Sequence, residues 1–172
     1  MKKIVLVGYM ASGKTEIGNL LSKKLHLPFF DIDHLIENDV SKTVNEIFEE
    51  KGEIFFRKKE QEVFAYKINS NDSFVLSLGG GTPCYANNHL FLQNDDVISI
   101  YLKGSIETLV DRLKINKDKR PLLKNLANDE FSEFVAKHLF DRSFYYNYSK
   151  HTIKIDDKSP FDIVEEIQKI LL

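Results

Sequence analysis

The run Gly8-Tyr9-Met10-Ala11-Ser12-Gly13-Lys14-Thr15 has the spacing G-x-x-x-x-G-K-[ST]. Residues of these types, so spaced, can capture a polyphosphate. The glycines let the backbone curl until its N–H groups point inward at phosphate oxygens. A helix opening at Thr15 adds the positive end of its dipole. Lys14 then reaches the β- and γ-phosphates, and the Thr15 hydroxyl is offered to Mg²⁺. The plainer alternative is a strand–turn–helix carrying a solvated lysine. An apolar run before the motif and a helical pattern after it supply the context a phosphate loop needs, so nucleotide binding is the expectation.

Two further clusters follow apolar runs. Asp31-Ile32-Asp33 comes after Pro28-Phe29-Phe30, and Gly79-Gly80-Gly81-Thr82 comes after Phe74–Leu78. Open parallel sheets bind ligands outside the carboxyl ends of their strands, which is where both clusters belong. Carboxylates at i and i+2 on an extended segment share a face. One suits a metal's water shell, and the other suits a substrate hydroxyl and its proton. The competing reading makes an aspartate the N-cap of a following helix. Three glycines strip away side chains and let a ligand approach the backbone; a flexible turn is the competing reading.

These residues need a scaffold, and the hydrophobic pattern outlines one. Strands are expected at Ile4–Val7, Pro28–Asp31, Phe74–Leu78, Val97–Leu102 and Thr152–Ile155. Helical patterns fill the gaps at about Thr15–Leu25, Thr43–Glu50, Ile54–Ile68, Ser105–Leu113, Asp129–Tyr146 and Pro160–Leu171, with Ser159 as N-cap of the last. Strands alternating with helices imply right-handed crossovers and an α/β fold with a parallel sheet covered on both faces. The stretch Lys114–Asn128 is polar, lysine-rich and interrupted by Pro121, as an exposed loop would be.

Composition bounds the function. The 172 residues carry 42% hydrophobic and 29% charged side chains, which suits one ordinary globular domain. A net charge of −2 gives no general attraction to nucleic acid or to an anionic membrane. One cysteine, Cys84, excludes an intramolecular disulfide. Met1-Lys2-Lys3 before Ile4–Val7 superficially resembles a signal peptide, but the apolar run is too short and meets the phosphate loop at once. A cytoplasmic monomer is the default expectation. His26, His34, His89, His138 and His151 lack metal-ligand spacing. Cys84 and the tyrosines 145, 146 and 148 read as structural.

The phosphate loop, Asp31-x-Asp33, Gly52-Glu53-x-x-Phe56-Arg57-x-x-Glu60, Gly79-Gly80-Gly81, Arg120-Pro121-Leu122-Leu123 and Arg142-x-x-Tyr145 occur in that order. Together they resemble the shikimate kinase family, over nearly the whole chain from Lys3 to about Leu171. The resemblance implies a P-loop NTPase fold with five parallel strands in the order 2-3-1-4-5, helices on both faces and a lid. Residues 1–172 would form one kinase domain, with a substrate-binding helical segment at about 33–62 and the lid at about 114–128.

It also implies roles. Lys14, Asp33 and Arg120 would be catalytic. Asp33, Arg57, Gly79, Gly80, Gly81 and Arg142 would bind the acceptor, the two arginines gripping its carboxylate and Glu60 orienting them. Gly8, Ala11, Ser12, Gly13, Lys14, Thr15, Glu16, Arg112, Arg120 and Pro160 would bind ATP, with Arg112 and Pro160 sandwiching the adenine. Thr15 and Asp31 would serve Mg²⁺, and Phe48 and Phe56 would shape the pocket wall. The implied reaction moves the γ-phosphoryl of ATP to the 3-hydroxyl of shikimate, giving shikimate 3-phosphate and ADP for aromatic amino acid biosynthesis. The alternatives are a related kinase of gluconate or a nucleoside monophosphate, and a non-catalytic nucleotide-binding module.

There are departures. Ala11 stands where many relatives have glycine, the lid segment Asn116–Arg120 has its own length and charge, and Asn147-Tyr148-Ser149 follows Tyr145 where relatives often carry an acidic and a small residue.

Overall fold

A computed structural model describes residues 2–115, 126–127 and 129–172. The elements run β1 (Lys3–Val7), α1 (Lys14–Leu25), β2 (Phe29–Asp31), α2 (Ile32–Val40), α3 (Val44–Ile68), β3 (Phe74–Ser77), β4 (Val97–Lys103), α4 (Ile106–Ile115), α5 (Glu130–Tyr146), β5 (His151–Lys154) and α6 (Pro160–Leu171). Short 3₁₀ turns at Thr82–Cys84 and Asn88–Gln93 follow β3. Most of the expected lid segment, Arg120 included, lies outside the described residues.

The strands form one parallel sheet in the order β2-β3-β1-β4-β5, as the resemblance implied. β1 is central and every one of its residues is buried. Its side chains alternate between two cores, as the period of a strand requires. Ile4 and Leu6 pack with Ile17 and Leu21 of α1 and with Ile163, Val164 and Ile167 of α6. Val5 and Val7 face the opposite core, with Ile36 of α2, Phe64 of α3, Leu109 of α4 and Val135 of α5. Full burial of such a side chain contributes about 1.5–3 kcal/mol. Lys3 closes the far rim inside β1, its ammonium donating to the Ile68 carbonyl at 2.7 Å and pairing with Asp96 at 2.5 Å. Among the described residues no helix is long and apolar enough to cross a membrane.

One expectation changes. Asp31 and Asp33 do not share an extended segment. Asp31 ends β2 and caps α2, its carboxylate accepting from the Asp33 N–H at 3.0 Å, while Asp33 lies in the first helical turn. The capping reading therefore holds, because Ile32 and Ile36 sit at helical spacing and both are fully buried. The two helices expected at Thr43–Glu50 and Ile54–Ile68 are present as the two arms of α3, separated by non-helical backbone at Gly52 with φ 78° and ψ 173°. A left-handed φ of this kind suits glycine. α6 begins as read from the sequence, with Pro160 in the first turn and a capping box between Ser159 and Asp162.

Candidate active site

The loop between β1 and α1 is built for close approach. Gly13, at φ 91°, is the N-cap of α1 and turns the first helical N–H groups outward. Lys14 donates from Nζ to the carbonyls of Gly8 and Tyr9 at 2.8 and 3.0 Å, which holds its ammonium at the mouth of the loop. Gly8 and Ser12 are buried beneath. A Cβ at Gly8 would fall 2.7 Å from Ser12 Oγ and 2.8 Å from the Leu102 carbonyl, so the packing leaves no room for one. Ala11 adopts φ 64°, a left-handed conformation that costs an alanine about 1–2 kcal/mol.

Across the mouth, the Thr15 hydroxyl donates to Asp31 Oδ2 at 3.2 Å. This hydroxyl and carboxylate are hard oxygen donors, the kind Mg²⁺ takes. Among the described residues no group of three or more His, Cys, Asp or Glu could hold a metal ion. The donor set fits a cation that arrives with phosphate and water as its other ligands.

The second half of the site lies between α2, α3, α5 and the glycines after β3. The kink at Gly52 directs the second arm of α3 so that Arg57 reaches Gly81. A Cβ there would lie 2.8 Å from Arg57 Nη2. Arg57 pairs with Glu60 at 2.8 Å, and Glu60, 1% exposed, also accepts from the Thr82 hydroxyl at 2.6 Å. Tyr85 stacks on the guanidinium at 4.1 Å and donates to Glu53, itself 3.5 Å from Arg57 Nε. Arg142, from α5, lies 3.3 Å from where a Gly80 Cβ would be. Tyr146, one turn further on, is fully buried and donates its hydroxyl to the Gly80 carbonyl at 2.6 Å.

Asp33 sits where the two halves meet. Burial, reinforced by the charges of Asp31, Glu60 and Glu37 and opposed by Lys14, pushes its carboxyl up to about 6. A base poised near its working pH is what proton abstraction from a hydroxyl requires. Cys84 is half-buried, and burial pushes its thiol up to about 11, which suits a structural role.

A cavity of about 590 Å³ runs along this rim of the sheet. Of the residues singled out in the sequence, Ala11, Gly13, Lys14, Thr15, Glu16, Asp31, Asp33, Gly79, Gly80, Arg112 and Pro160 line it. Arg112 also donates to the Ala11 carbonyl at 3.3 Å. Gly8, Ser12, Arg57, Gly81 and Arg142 are not in the lining; the two arginines flank the glycine turn beside it. Phe48 and Phe56 are not in the lining of this cavity either. Their rings pack together at 4.6 Å within the core that contains α2 and α3. Sequence reasoning missed Met10, Ser77, Lys158, Tyr85 and Tyr146. Tyr146 had a signal, four residues after Arg142 and so on its face of α5.

Known proteins match the chain along nearly its whole length. The family model described as shikimate kinase matches residues 10–172. The chain belongs to the shikimate kinase family. It is 83% identical to a shikimate kinase of Flavobacterium psychrophilum over 99% of both chains. The shikimate kinase structure from Bacteroides thetaiotaomicron superposes with a TM-score of 0.89 at 33% identity, covering 99% of this chain and 98% of that one. The enzyme from Acinetobacter baumannii, solved in complex with shikimate, gives 0.86 at 30% identity, covering 99% and 93%.

Proposed function

We propose that the chain is a shikimate kinase that transfers the γ-phosphoryl group of ATP to the 3-hydroxyl of shikimate, with Asp33 at the point of transfer. The observation that carries this reading is the meeting of two half-sites in one place. A lysine-bearing phosphate loop lines the cavity and two arginines flank the glycine turn beside it, with a poised carboxylate between them.

The triphosphate lies along the loop N–H groups and the N-terminus of α1, with Lys14 leaving its carbonyls for the β- and γ-oxygens. Arg112 and Pro160 flank the adenine. Thr15 and Asp31 would hold Mg²⁺, which when bound neutralises charge on the β- and γ-phosphates. Arg57 and Arg142 take the acceptor's carboxylate, since guanidinium forks match its planar oxygens. Glu60 and Tyr85 keep Arg57 in place for this. Gly79, Gly80 and Gly81 leave room for the acceptor ring. Asp33 orients the attacking hydroxyl and accepts its proton as the phosphoryl group leaves ADP. Arg120, outside the described residues, completes the charge stabilisation from the lid, whose closure excludes water.

The test is a coupled ADP-release assay with Mg²⁺, ATP and a panel of acceptors. Shikimate should raise ADP release far above the ATP-only rate, with gluconate and nucleoside monophosphates near background. Turnover of another acceptor at the shikimate rate would displace the assignment. Nucleotide binding with no acceptor turned over would favour a non-catalytic module.

A further inference from the structure

The mechanism above uses the carbonyl of residue 9 but not its side chain. The pattern G-x-x-x-x-G-K-[ST] leaves that position free, yet Tyr9 is 1% exposed and its ring reaches α5. Its hydroxyl is hydrogen-bonded to His138 Nδ1 at 3.0 Å, with the two rings edge-on at 6.0 Å. Arg142, one turn beyond His138, lies over the same ring at 5.7 Å, inside the range of a cation–π contact. Tyr146, one turn further, holds the Gly80 carbonyl. Residues 138, 142 and 146 fall on one face of α5, spaced by four. A phenylalanine would keep the ring beneath Arg142 but would lose the hydrogen bond to His138.

We infer that Tyr9 is a positioning residue that joins the phosphate loop to the helix carrying Arg142, so that triphosphate and acceptor each strengthen the other's binding. The inference rests on the reading of Arg142 as a carboxylate ligand. The contacts of Lys14 define the first of two states. Here the Lys14 ammonium donates to the carbonyls of Gly8 and Tyr9. A triphosphate competes for that ammonium, so the Tyr9 peptide loses a donor and readjusts. The side chain moves with its peptide, and the hydrogen bond passes the adjustment to His138 and so to Arg142. By linkage the effect runs equally in reverse, from a seated carboxylate to the loop. His138 can hold this bond as a neutral ring, because burial, with Arg142 and Lys137 nearby, lowers its pKa below the usual range.

The experiment is isothermal titration of a Mg²⁺-loaded, non-hydrolysable ATP analogue into the full chain, with and without saturating shikimate. The ratio of the two dissociation constants is the coupling, and it cancels any uniform loss of affinity. The natural chain should show tightening of at least about fivefold. In Tyr9→Phe and His138→Leu the ratio should fall about fivefold, toward unity. In His138→Asn, whose amide occupies the place of Nδ1, it should stay within about twofold of the natural value. Should Tyr9→Phe fail to fold, the two His138 variants make the same comparison. An unchanged ratio in Tyr9→Phe or His138→Leu, or no coupling in the natural chain, overturns the link while leaving the function intact. Failure of the natural chain to bind shikimate overturns the functional reading and the link together.

Discussion

Asp33 is the residue on which chemistry and stability pull in opposite directions. Its carboxyl holds a proton up to about pH 6 in the fold, against about 3.8 when exposed. A raised acid contributes stability that is complete below the unfolded value and is lost as the pH climbs through the folded one. At neutral pH the buried carboxylate therefore costs the fold up to about 3 kcal/mol. Asp33→Asn should lower kcat by roughly 10²–10⁴-fold, the usual share of a positioned base. It should also raise the melting temperature at pH 7.5, with the gain fading below pH 4. In the natural chain kcat/KM should fall on the acid side of about pH 6, because the ionised form is the base. Thermal melts and rates across pH 4–8 check all three. Ala11 is a second residue carrying a cost. Ala11→Gly relieves the left-handed backbone and should stabilise by about 1 kcal/mol, read from a urea titration. The spacing of the loop told what Lys14 and Thr15 are for. It did not tell that Asp33 would be poised near 6, because that depends first on burial and then on charges such as Glu60, which only the folded chain brings near it.

The elements explain why one acceptor needs two helices. Arg57 comes from the second arm of α3, aimed by the break at Gly52, and Arg142 comes from α5. The two side chains approach the glycine turn against adjacent residues, Gly81 and Gly80, and each guanidinium is a fork able to bind a carboxylate. Arg57→Ala and Arg142→Ala should each raise KM for shikimate by about 10²-fold, as loss of a charge-assisted partner does, with kcat and KM for ATP changed far less. Steady-state kinetics would show it, and normal acceptor KM in both variants would refute the carboxylate assignment. Most elements were legible from apolar runs and helical spacing. α2 was not, because nine residues give only about two and a half turns of pattern and Asp31 served both as strand end and as cap. The 3₁₀ turns after β3 were also hidden, since they are held by tertiary bonds such as Thr82 Oγ1 to Glu60 at 2.6 Å.

At the scale of the molecule, a sheet covered on both faces presents one ligand-binding rim, where β1 runs into the phosphate loop, β2 into Asp31 and Asp33, and β3 into the glycine turn. The α/β class followed from alternation of strands and helices, but the strand order came only from the resemblance, since local pattern cannot rank crossovers. The central claim is that a triphosphate and an acid ring meet at this rim. Its most direct test is a crystal structure with shikimate and a non-hydrolysable ATP analogue bound together. The account predicts the shikimate carboxylate within hydrogen-bond reach of both Arg57 and Arg142, and its 3-hydroxyl between Asp33 and the terminal phosphate held by Lys14. A carboxylate turned away from both arginines, or a ring bound elsewhere on the surface, would contradict it.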